Sequence, residues 1–566
     1  MAFVVDNDLD APLAGKTLLV CSGAAPPDPF ALQRSALDSI IESAASKPPP
    51  PARNDSGAAP PDFCGWEGVA CDAAGFVTSL ALTHPAAPAP PGALLLLRLP
   101  RLASLSVDGG GGRMSARLPA DWGVLRGLRH ISVKSVAVLG SIPAEWATLR
   151  NLQTLEVEDC GLAGTLPLDL IAALAPSLES LSLAGNALEG SLAALPWAAL
   201  GRLKRLNLSG CDVGGALPPG LPAAAPLLEA IALDRTRVGG PLPPEWAAGL
   251  ARLRAVDLGG TGVAGALPAA WASPDIEELR FSKTAISGPV PRAWCALRKL
   301  RVLDLTFTPN LTGPPPSCVW PEMEMLSLAA TGLNGTIPGA SWAAMRKLRV
   351  FGVTGSPYLR GRLPDAAWPA MATLELGDSG LSGPLPEWGG PALPMPALRV
   401  LNLRNNGGIS GTLPASFANL PSLTSLLLQG CGLSGPLPPA WGGGLPALMI
   451  LNLSSNALTG GLPPSWGALL GGALLGLDAS ANRLAGTIPA AWAAPAGSVK
   501  IWGQFAPALH HNPGLEGCVP AAYYLSAGAA APASGAPPPG AGAGAGAGAS
   551  EKVYRRVEEG TRLRRC

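Results

Sequence analysis

A leucine pattern recurs along most of the chain about every 23 to 27 residues, and this period constrains the fold more than any other feature. The repeating unit is L-x-x-L-x-L-x-x-[N/C/T]-x-L-x-G-x-L-P-x-x-W, and about seventeen copies follow one another. The alternating leucines predict a short strand with one buried face. Because one unit cannot bury its apolar face alone, we expect the units to stack around a continuous core.

The slot that follows each predicted strand holds a small polar or thiol side chain. Such a side chain can bond the backbone of a buried turn that has no partner in a sheet. We therefore predict a ladder of side-chain to backbone bonds from Cys160, Asn186, Cys211, Thr236, Thr261, Thr284, Thr331, Ser379, Asn406, Cys431, Asn456 and Asn482. The Leu-Pro or Ile-Pro that comes later keeps its segment extended, because proline disfavours a helix.

Units such as LQTLEVEDCGLAGTLPLDL from Leu152 and LTSLLLQGCGLSGPLPPAW from Leu423 resemble the plant-type leucine-rich repeat. The resemblance implies an α/β repeat solenoid, a right-handed curved array with a parallel β-sheet on the concave face and loops or 3₁₀ turns on the convex face. The predicted domains are an unassigned segment 1–29, an N-terminal cap 30–76, the repeats 77–500, a C-terminal cap 501–525 and a disordered Gly/Ala/Pro-rich tail 526–566 with a basic end.

Many repeats carry an aromatic residue three positions after the proline. The slot holds Phe417 once and otherwise Trp122, Trp146, Trp246, Trp271, Trp294, Trp441, Trp466 and Trp492. Repeats with this LPxxW ending resemble those of green-algal and protist surface proteins. An exposed aromatic strip would suit glycan or membrane binding. A regular slot in every turn is what stacking itself demands, so we expect a packing ladder on the back of the solenoid.

Both ends of the array resemble caps of the same family. ALQRSALDSIIESAASKP places Leu32, Leu37, Ile40 and Ile41 on one face of a short helix. FCGWEGVAC follows it, and by the resemblance Cys64 pairs with Cys71 to close the first edge of the sheet. The alternative is two reduced thiols that only pack. HHNPGLEGCVP resembles the motif that ends the C-terminal cap of the family, although a second cap cysteine is absent nearby.

The other cysteines divide into three groups. Cys160, Cys211 and Cys431 occupy the buried slot and are expected to be inert thiols. Cys295 and Cys318 lie on the backs of adjacent turns, where pairing is possible. No partner is predicted for the remaining cysteines, Cys21, Cys518 and Cys566.

The cap and the N-terminus point to different compartments. A disulfide cap indicates an extracellular or cell-surface protein, and Asn54 and Asn334 are then candidates for glycosylation. The first residues are acidic and do not form a clear signal peptide. We therefore expect a truncated or misassigned start, with a cytoplasmic location as the alternative.

Several function classes find no support in the composition. The formal net charge of +1 gives no reason to expect nucleic acid, and no stretch is typical of a transmembrane helix. The adjacent pair His510 and His511 has no other metal-ligand cluster beside it. AGKT at residues 14–17 lacks the earlier glycine of a phosphate loop, and kinase motifs are absent. We therefore predict no enzyme activity, no metal and no cofactor.

Binding remains, and the resemblance places it on the concave face between the strand leucines. The candidate binding residues there are Glu156, Glu158, Asp159, Asp234, Arg235, Asp257, Glu278, Arg280, Asp304 and Arg404. Their acidic members are either a partner site or a solvated face. The main hypothesis is a non-enzymatic recognition protein for a protein, peptide or glycan. A structural or adhesive wall component and an intracellular scaffold are the alternatives, and the oligomeric state stays open.

Overall fold

The structure is a computed structural model that describes residues 29–41, 63–83, 90–110, 115–273, 275–492, 508–519 and 560–565. The predicted sites at Cys21, Asn54 and Cys566 lie outside these residues. The chain divides into two compact units, residues 1–212 and 213–566. Each unit is a stack of repeats with a long parallel sheet, as the leucine pattern predicts.

The first unit begins with a helix, Pro29–Ile41, that packs on the first strand. Its buried residues are Gln33, Ala36, Leu37 and Ile40, whereas Leu32 is 39% exposed. Leu32 therefore does not share the buried face with Leu37 and Ile40 as predicted, and Gln33 is buried instead. The reason is a hydrogen bond, because the Gln33 Oε1 accepts from the backbone N–H of Val77 at 2.9 Å.

The rest of the N-terminal cap closes the open edge of the sheet. After a 3₁₀ turn, Phe63–Gly65, the strand Val69–Cys71 pairs antiparallel with Val77–Thr83. In the structure a disulfide joins Cys64 to Cys71. An antiparallel strand at this end leaves less of the parallel edge free to pair with another chain.

The long sheet of each unit contains one short strand per repeat. In the first unit the parallel strands are Val77–Thr83, Ser104–Asp108, His130–Lys134, Thr154–Glu158, Ser180–Ser182 and Arg205–Asn207. In the second unit they are Ala230–Ala232, Ala255–Asp257, Glu278–Arg280, Val302–Asp304, Met325–Ser327, Val350–Gly352, Thr373–Glu375, Val400–Asn402, Ser425–Leu427, Ile450–Asn452 and Gly476–Asp478.

A second set of parallel strands follows the slot residue, where the sequence predicts loops. These strands are Ser115–Ala116, Ala137–Val138, Ala163–Thr165, Ala187–Ser191, Asp212–Ala216, Arg237–Pro241, Gly262–Ala266, Ala285–Ser287, Gly335–Thr336, Leu359–Arg362, Gly380–Pro384, Gly408–Ser410, Ser434–Pro436, Ala457–Gly460, Arg483–Gly486, Gly514–Val519 and Arg562–Arg565. Most hold two to five residues and a glycine, so they lack the alternation by which a strand is recognised.

Short helices complete the repeats on the side opposite the long sheet. The α-helices are Ala93–Leu96, Leu168–Leu174, Leu221–Ala224, Trp246–Gly249, Gly339–Ala343, Trp441–Gly444 and Gly467–Leu470. The 3₁₀ turns are Ala120–Val124, Ala144–Thr148, Leu192–Ala194, Trp197–Ala199, Arg292–Ala296, Ala415–Asn419, Pro464–Trp466 and Ala490–Trp492. Many start directly after the proline of Leu-Pro, where a missing N–H costs nothing.

The slot residues form the predicted ladder between repeats. Asn186 is almost fully buried, and its Nδ2 donates to the carbonyls of Val157 and Leu183 at 2.7 and 2.8 Å. Its Oδ1 accepts from the backbone N–H groups of Cys160 and Leu162. One amide therefore satisfies four buried backbone groups, two of them donors and two acceptors. Thr236, Thr261 and Thr284 make a shorter version, a bond to the carbonyl three residues earlier.

The tryptophans form a buried ladder on the other side of the core. Trp441, Trp466 and Trp492 are almost parallel, with ring centroids 5.9 and 6.4 Å apart. Each Nε1–H also donates to a proline carbonyl of the preceding repeat, as Trp466 does to Pro438 at 2.9 Å. Since the rings at this slot are fully buried, the packing interpretation is confirmed and an exposed aromatic strip is excluded for them.

The C-terminal end differs from the predicted disordered tail. Arg562–Arg565 is a strand that pairs in parallel with Gly514–Val519, and Leu563 is buried. The sequence pattern does not predict this strand, because a long Gly/Ala/Pro-rich stretch precedes it and only one of its residues is apolar. A strand of the chain itself thus covers the edge of the sheet that Ser434–Pro436, Ala457–Gly460, Arg483–Gly486 and Gly514–Val519 form.

The Trp-to-Pro bond can be tested by comparing two tryptophans. Trp466→Phe removes one of the two donors to the buried Pro438 carbonyl, which keeps the backbone N–H of Trp441, so we expect a loss of about 1 kcal/mol in the free energy of unfolding. Trp388 stands two residues after its proline instead of three, and its Nε1–H finds no acceptor among the described residues. Trp388→Phe is therefore the matched control with a smaller loss. Equal urea midpoints for the two variants would contradict this role.

Candidate functional site

The outward side of the long sheet is the part of the fold with side chains free of core packing. We number each repeat from its first leucine, so that the slot residue is position 9. Side chains at positions 3, 5, 7 and 8 point away from the core, and we call this side the open face. In the second unit Asp257, Arg280 and Asp304 align in register at position 5 of successive strands.

In the first unit the predicted acidic residues share one cation. The Lys134 Nζ lies 3.0 Å from a carboxylate oxygen of Glu156 and 3.0 Å from one of Glu158. Burial opposes the charge of Lys134, but these two carboxylates outweigh it and raise the pKa of its ammonium. Asp159 is exposed at the end of this strand, in a backbone conformation with φ 52°. Lys134 therefore offsets one of the three negative charges of Glu156, Glu158 and Asp159, and the cluster keeps a net negative charge.

In the second unit the predicted charges also have internal partners. Arg235 Nε donates to Asp234 at 3.0 Å, and Arg280 Nη2 donates to Glu278 at 3.0 Å. Arg404 Nε donates to Asp378 at 2.8 Å. Sequence reasoning placed these residues on one face correctly in each unit, but it did not see that they pair along and across the strands.

Position 5 has a structural use that repeats along the array. Oδ1 of Asp257 accepts the backbone N–H of Gly259 at 3.0 Å, and Asp304 accepts that of Thr306 in the same way. Asn402, Asn452 and Asp478 repeat this bond in later strands. An Asp or Asn at position 5 therefore satisfies the N–H of position 7, and its presence is not in itself a sign of a ligand.

A ladder of alternating charge runs along position 2, which the sequence analysis missed. Arg254 pairs with Glu277 at 3.5 Å, and Arg301 pairs with Glu324 at 2.9 Å. The hydrogen bond from Arg301 holds the pKa of the Glu324 carboxyl below its usual value. The alternation of sign from one repeat to the next was visible in the sequence and could have identified it. These pairs lie at the surface and each adds little stability.

Position 8 adopts positive φ in repeat after repeat. Gly260, Gly355 and Gly430 occupy it in some repeats, and Asn405 does so in another, as expected for this backbone conformation. Phe307 and Lys283 hold φ of 56° and 55° in neighbouring repeats. Phe307 is 55% exposed, so core packing does not explain it. The signal was available as a bulky residue at a position where other repeats place small ones.

The remaining predicted sites are placed as follows. Asn334 is exposed directly before the strand Gly335–Thr336, and Cys295 pairs with Cys318. Cys160, Cys211 and Cys431 are free and buried, and burial raises the pKa of the Cys431 thiol to about 11. The described residues contain no group of His, Cys, Asp and Glu arranged to hold a metal ion.

No helix in the described parts of the chain is both long enough and apolar enough for a membrane span.

The burial of Asp257 predicts a stabilising substitution. Burial, followed by repulsion from Asp234 and Asp304, raises the pKa of its carboxyl. A raised folded-state pKa means that the wild type gains stability as pH falls through it. We expect Asp257→Asn to raise the melting temperature at pH 7, with the difference shrinking on acidification, because Asn keeps the acceptor for Gly259. Asp478→Asn, whose neighbour at position 5 is Asn452, is the control with no gain; a lower melting temperature for Asp257→Asn would contradict the prediction.

Comparison with known proteins identifies the fold. A Leucine Rich Repeat family profile matches residues 397–420, 422–443 and 447–469. No curated protein matches the chain. Solved structures similar to it include the ectodomain of the Arabidopsis thaliana receptor kinase GASSHO1/SCHENGEN3, with 24% identity over 87% of this chain and a TM-score of 0.67. This chain spans 57% of the length of that ectodomain.

Two further structures agree. The plant peptide hormone receptor RGFR1 is 22% identical, with 82% of each chain covered and a TM-score of 0.59. The ectodomain of the Arabidopsis receptor kinase HAESA is 20% identical, with 88% of this chain and 96% of that chain covered and a TM-score of 0.60. The chain therefore has the leucine-rich-repeat solenoid fold, and its structure resembles those of plant receptor kinase ectodomains.

Proposed function

We propose that this chain is a non-enzymatic recognition protein that binds a peptide or an extended protein segment on the open face of its long sheet. One observation carries the proposal. The inward positions of the repeats are uniformly apolar, whereas positions 3, 5, 7 and 8 change from repeat to repeat. Such variation over a fixed apolar core lets each repeat present different side chains on one continuous surface, as recognition of an extended partner requires.

Similar structures supply the ligand class. GASSHO1/SCHENGEN3 is in complex with CASPARIAN STRIP INTEGRITY FACTOR 2, RGFR1 with RGF2, and HAESA with an IDA peptide hormone ligand. The likeness is one of fold, so it makes a peptide the first ligand to test and does not identify one. A protein or glycan ligand remains the next class to test.

The predicted charged residues take a supporting part in this proposal. Lys134 with its two glutamates, and Arg404 with Asp378, hold their side chains in place before a ligand arrives. A ligand would then meet a face whose charges lose little freedom on binding. The role of Asp159, exposed and at the end of the acidic strand, as a direct ligand contact stays a prediction.

We also propose that the protein works outside the cell or at its surface. Two disulfides, Cys64 with Cys71 and Cys295 with Cys318, support an oxidising compartment. The surface exposure of Asn334 makes it an acceptor for glycan in that setting.

Blocking the open face tests the binding function. Gly352 lies at position 5, and a Cβ there would meet Ser327 Oγ and Glu375 Cβ at ordinary contact distances of 3.7 and 3.8 Å. A Cβ therefore fits although Gly352 itself is buried, and we expect Gly352→Arg to fold, which a thermal melt checks, and to put a long side chain on the face. Peptides selected from a displayed random library on the wild-type protein are expected to bind it at least about tenfold more weakly.

The matched control is Ser410→Arg, at an exposed position of the second sheet. It adds the same side chain away from the open face and is expected to leave peptide affinity unchanged. If no peptide is enriched, or if selected peptides bind Gly352→Arg as tightly as the wild type, the proposal fails. Binding of polysaccharide alone would favour the glycan or wall-component alternative.

The state of the thiols tests the compartment. In native protein we expect Cys64, Cys71, Cys295 and Cys318 to be alkylated only after reduction, as shown by peptide mass spectrometry. Cys431 is expected to resist iodoacetamide until the chain is unfolded, because its raised pKa keeps it as a buried thiol. Direct alkylation of Cys64 and Cys71 without reduction would favour the intracellular scaffold.

A further inference from the structure

Two exposed side chains at neighbouring position 8 sites are the least explained feature of the second unit. The Lys283 Nζ lies 5.9 Å from the centre of the Phe307 ring. Among the described residues no carboxylate comes within ion-pair distance of Lys283, although Arg280 in the same repeat pairs with Glu278 and lies 3.9 Å from Asp257. An aromatic ring and an unpaired ammonium therefore stand side by side on the edge of the open face.

The backbone holds this pair in place at a conformational cost. The N–H of Lys283 donates to the carbonyl of Thr306 at 2.7 Å, and that of Phe307 donates to Ala329 at 2.8 Å. These bonds to the next repeat accompany positive φ at both residues, a backbone conformation that is unusual and unfavourable for a bulky residue. Glycine or asparagine in other repeats meets the same requirement without that cost.

The surface beyond the ring is a shelf of small residues. Ala330 and Gly355 follow at position 8 of the next two repeats, and a Cβ on Gly355 would lie 3.8 Å from that of Ala330. At position 5 the same repeats carry Ser327 and Gly352. The shelf ends at Asp378, which Arg404 and Asn405 hold by hydrogen bonds of 2.8 and 2.7 Å. With strands about 4.8 Å apart, it is about 14 Å wide, enough for one large side chain and the backbone that carries it.

We propose that the shelf beside Phe307 is the specificity site for a peptide ligand in which an acidic residue stands next to an aromatic one. The ligand's ring packs on Ala330 and Gly355 against Phe307, and its carboxylate pairs with Lys283. Ring-to-ring contact and a partly desolvated ion pair together favour a peptide with adjacent acidic and aromatic residues over a peptide with basic or small residues at those places. The proposal rests on the peptide-binding function above and goes further by naming the site and the ligand chemistry.

The charges at the two ends of the shelf support the direction of the ligand. At the far end, the Asp378 carboxylate accepts from Arg404 and Asn405 of the following repeat, so neither it nor the Arg404 cation is unpaired. At the near end, Lys283 lies over the Phe307 ring, which does not neutralise its ammonium. The acidic group of the ligand is therefore placed at Lys283.

The test uses a displayed random peptide library selected on the full chain, with affinities measured on synthetic peptides. Enriched peptides are expected to carry an acidic residue adjacent to an aromatic one. Phe307→Asn and Lys283→Asn should each weaken their binding at least about tenfold. Phe307→Asn should at the same time melt at an equal or higher temperature, because asparagine suits positive φ. Loss of binding would then not be a loss of fold.

Ser455→Asn makes a matched change at position 8 away from the shelf and is expected to keep full affinity. Peptides that lose affinity for Gly352→Arg but bind Phe307→Asn and Lys283→Asn like the wild type would overturn the shelf and leave the peptide-binding function intact. Enrichment of basic or purely aliphatic peptides would also overturn it. Peptides indifferent to Gly352→Arg would remove both proposals together.

Discussion

The rest of the structure depends on one constraint, which is that every repeat buries backbone groups that no strand within that repeat can satisfy. The slot residue satisfies these backbone groups on one side of the core, where Asn186 bonds two N–H groups and two carbonyls at once. On the other side a tryptophan such as Trp466 donates to a proline carbonyl one repeat earlier. Because both bonds cross to a neighbour, each repeat is complete only beside another in the correct register. The period of the sequence follows from that dependence.

The bonds of the slot residues and the tryptophans do not involve the side chains of the open face. The structure shows, however, that many of those side chains also bond to other groups within the repeats. Position 5 carboxylates such as Asp257 and Asp304 accept backbone N–H groups, and Arg404 at position 7 pairs with Asp378 at position 8. A charged residue on this face is therefore poor support for a ligand until its internal partner has been found. The informative residues are those that the array does not use, and Phe307 with Lys283 is such a pair.

How much could be predicted follows from the distance over which each feature acts. The strand, the buried slot and the Trp ladder were predictable because they repeat within one unit and obey a local period. The ion pairs of the open face were not, since Lys134 and Glu156 come from different repeats and show no alternation of sign along the sequence. The second set of parallel strands was not predicted, because these strands are too short to show alternation. The final strand Arg562–Arg565 was not predicted, because a Gly/Ala/Pro-rich stretch separates it from its partner. Leu32 was misplaced because a buried glutamine, Gln33, does not look apolar.

Positive φ at position 8 brings stability and recognition into opposition at one backbone site. The turn needs that conformation in each repeat, because the N–H there donates to the next repeat, and small residues or asparagine adopt it at least cost. A bulky side chain placed there projects from the rim of the sheet and is held rigidly by the same bond. In a stack whose stability is the sum of many repeats and their interfaces, the strain at one or two positions is offset by the neighbours. A rigid, exposed aromatic side chain at position 8 can therefore contact a ligand without weakening the core. For this reason a bulky residue at position 8, where other repeats place a small residue, is a better sign of a binding site than a charged residue on the open face.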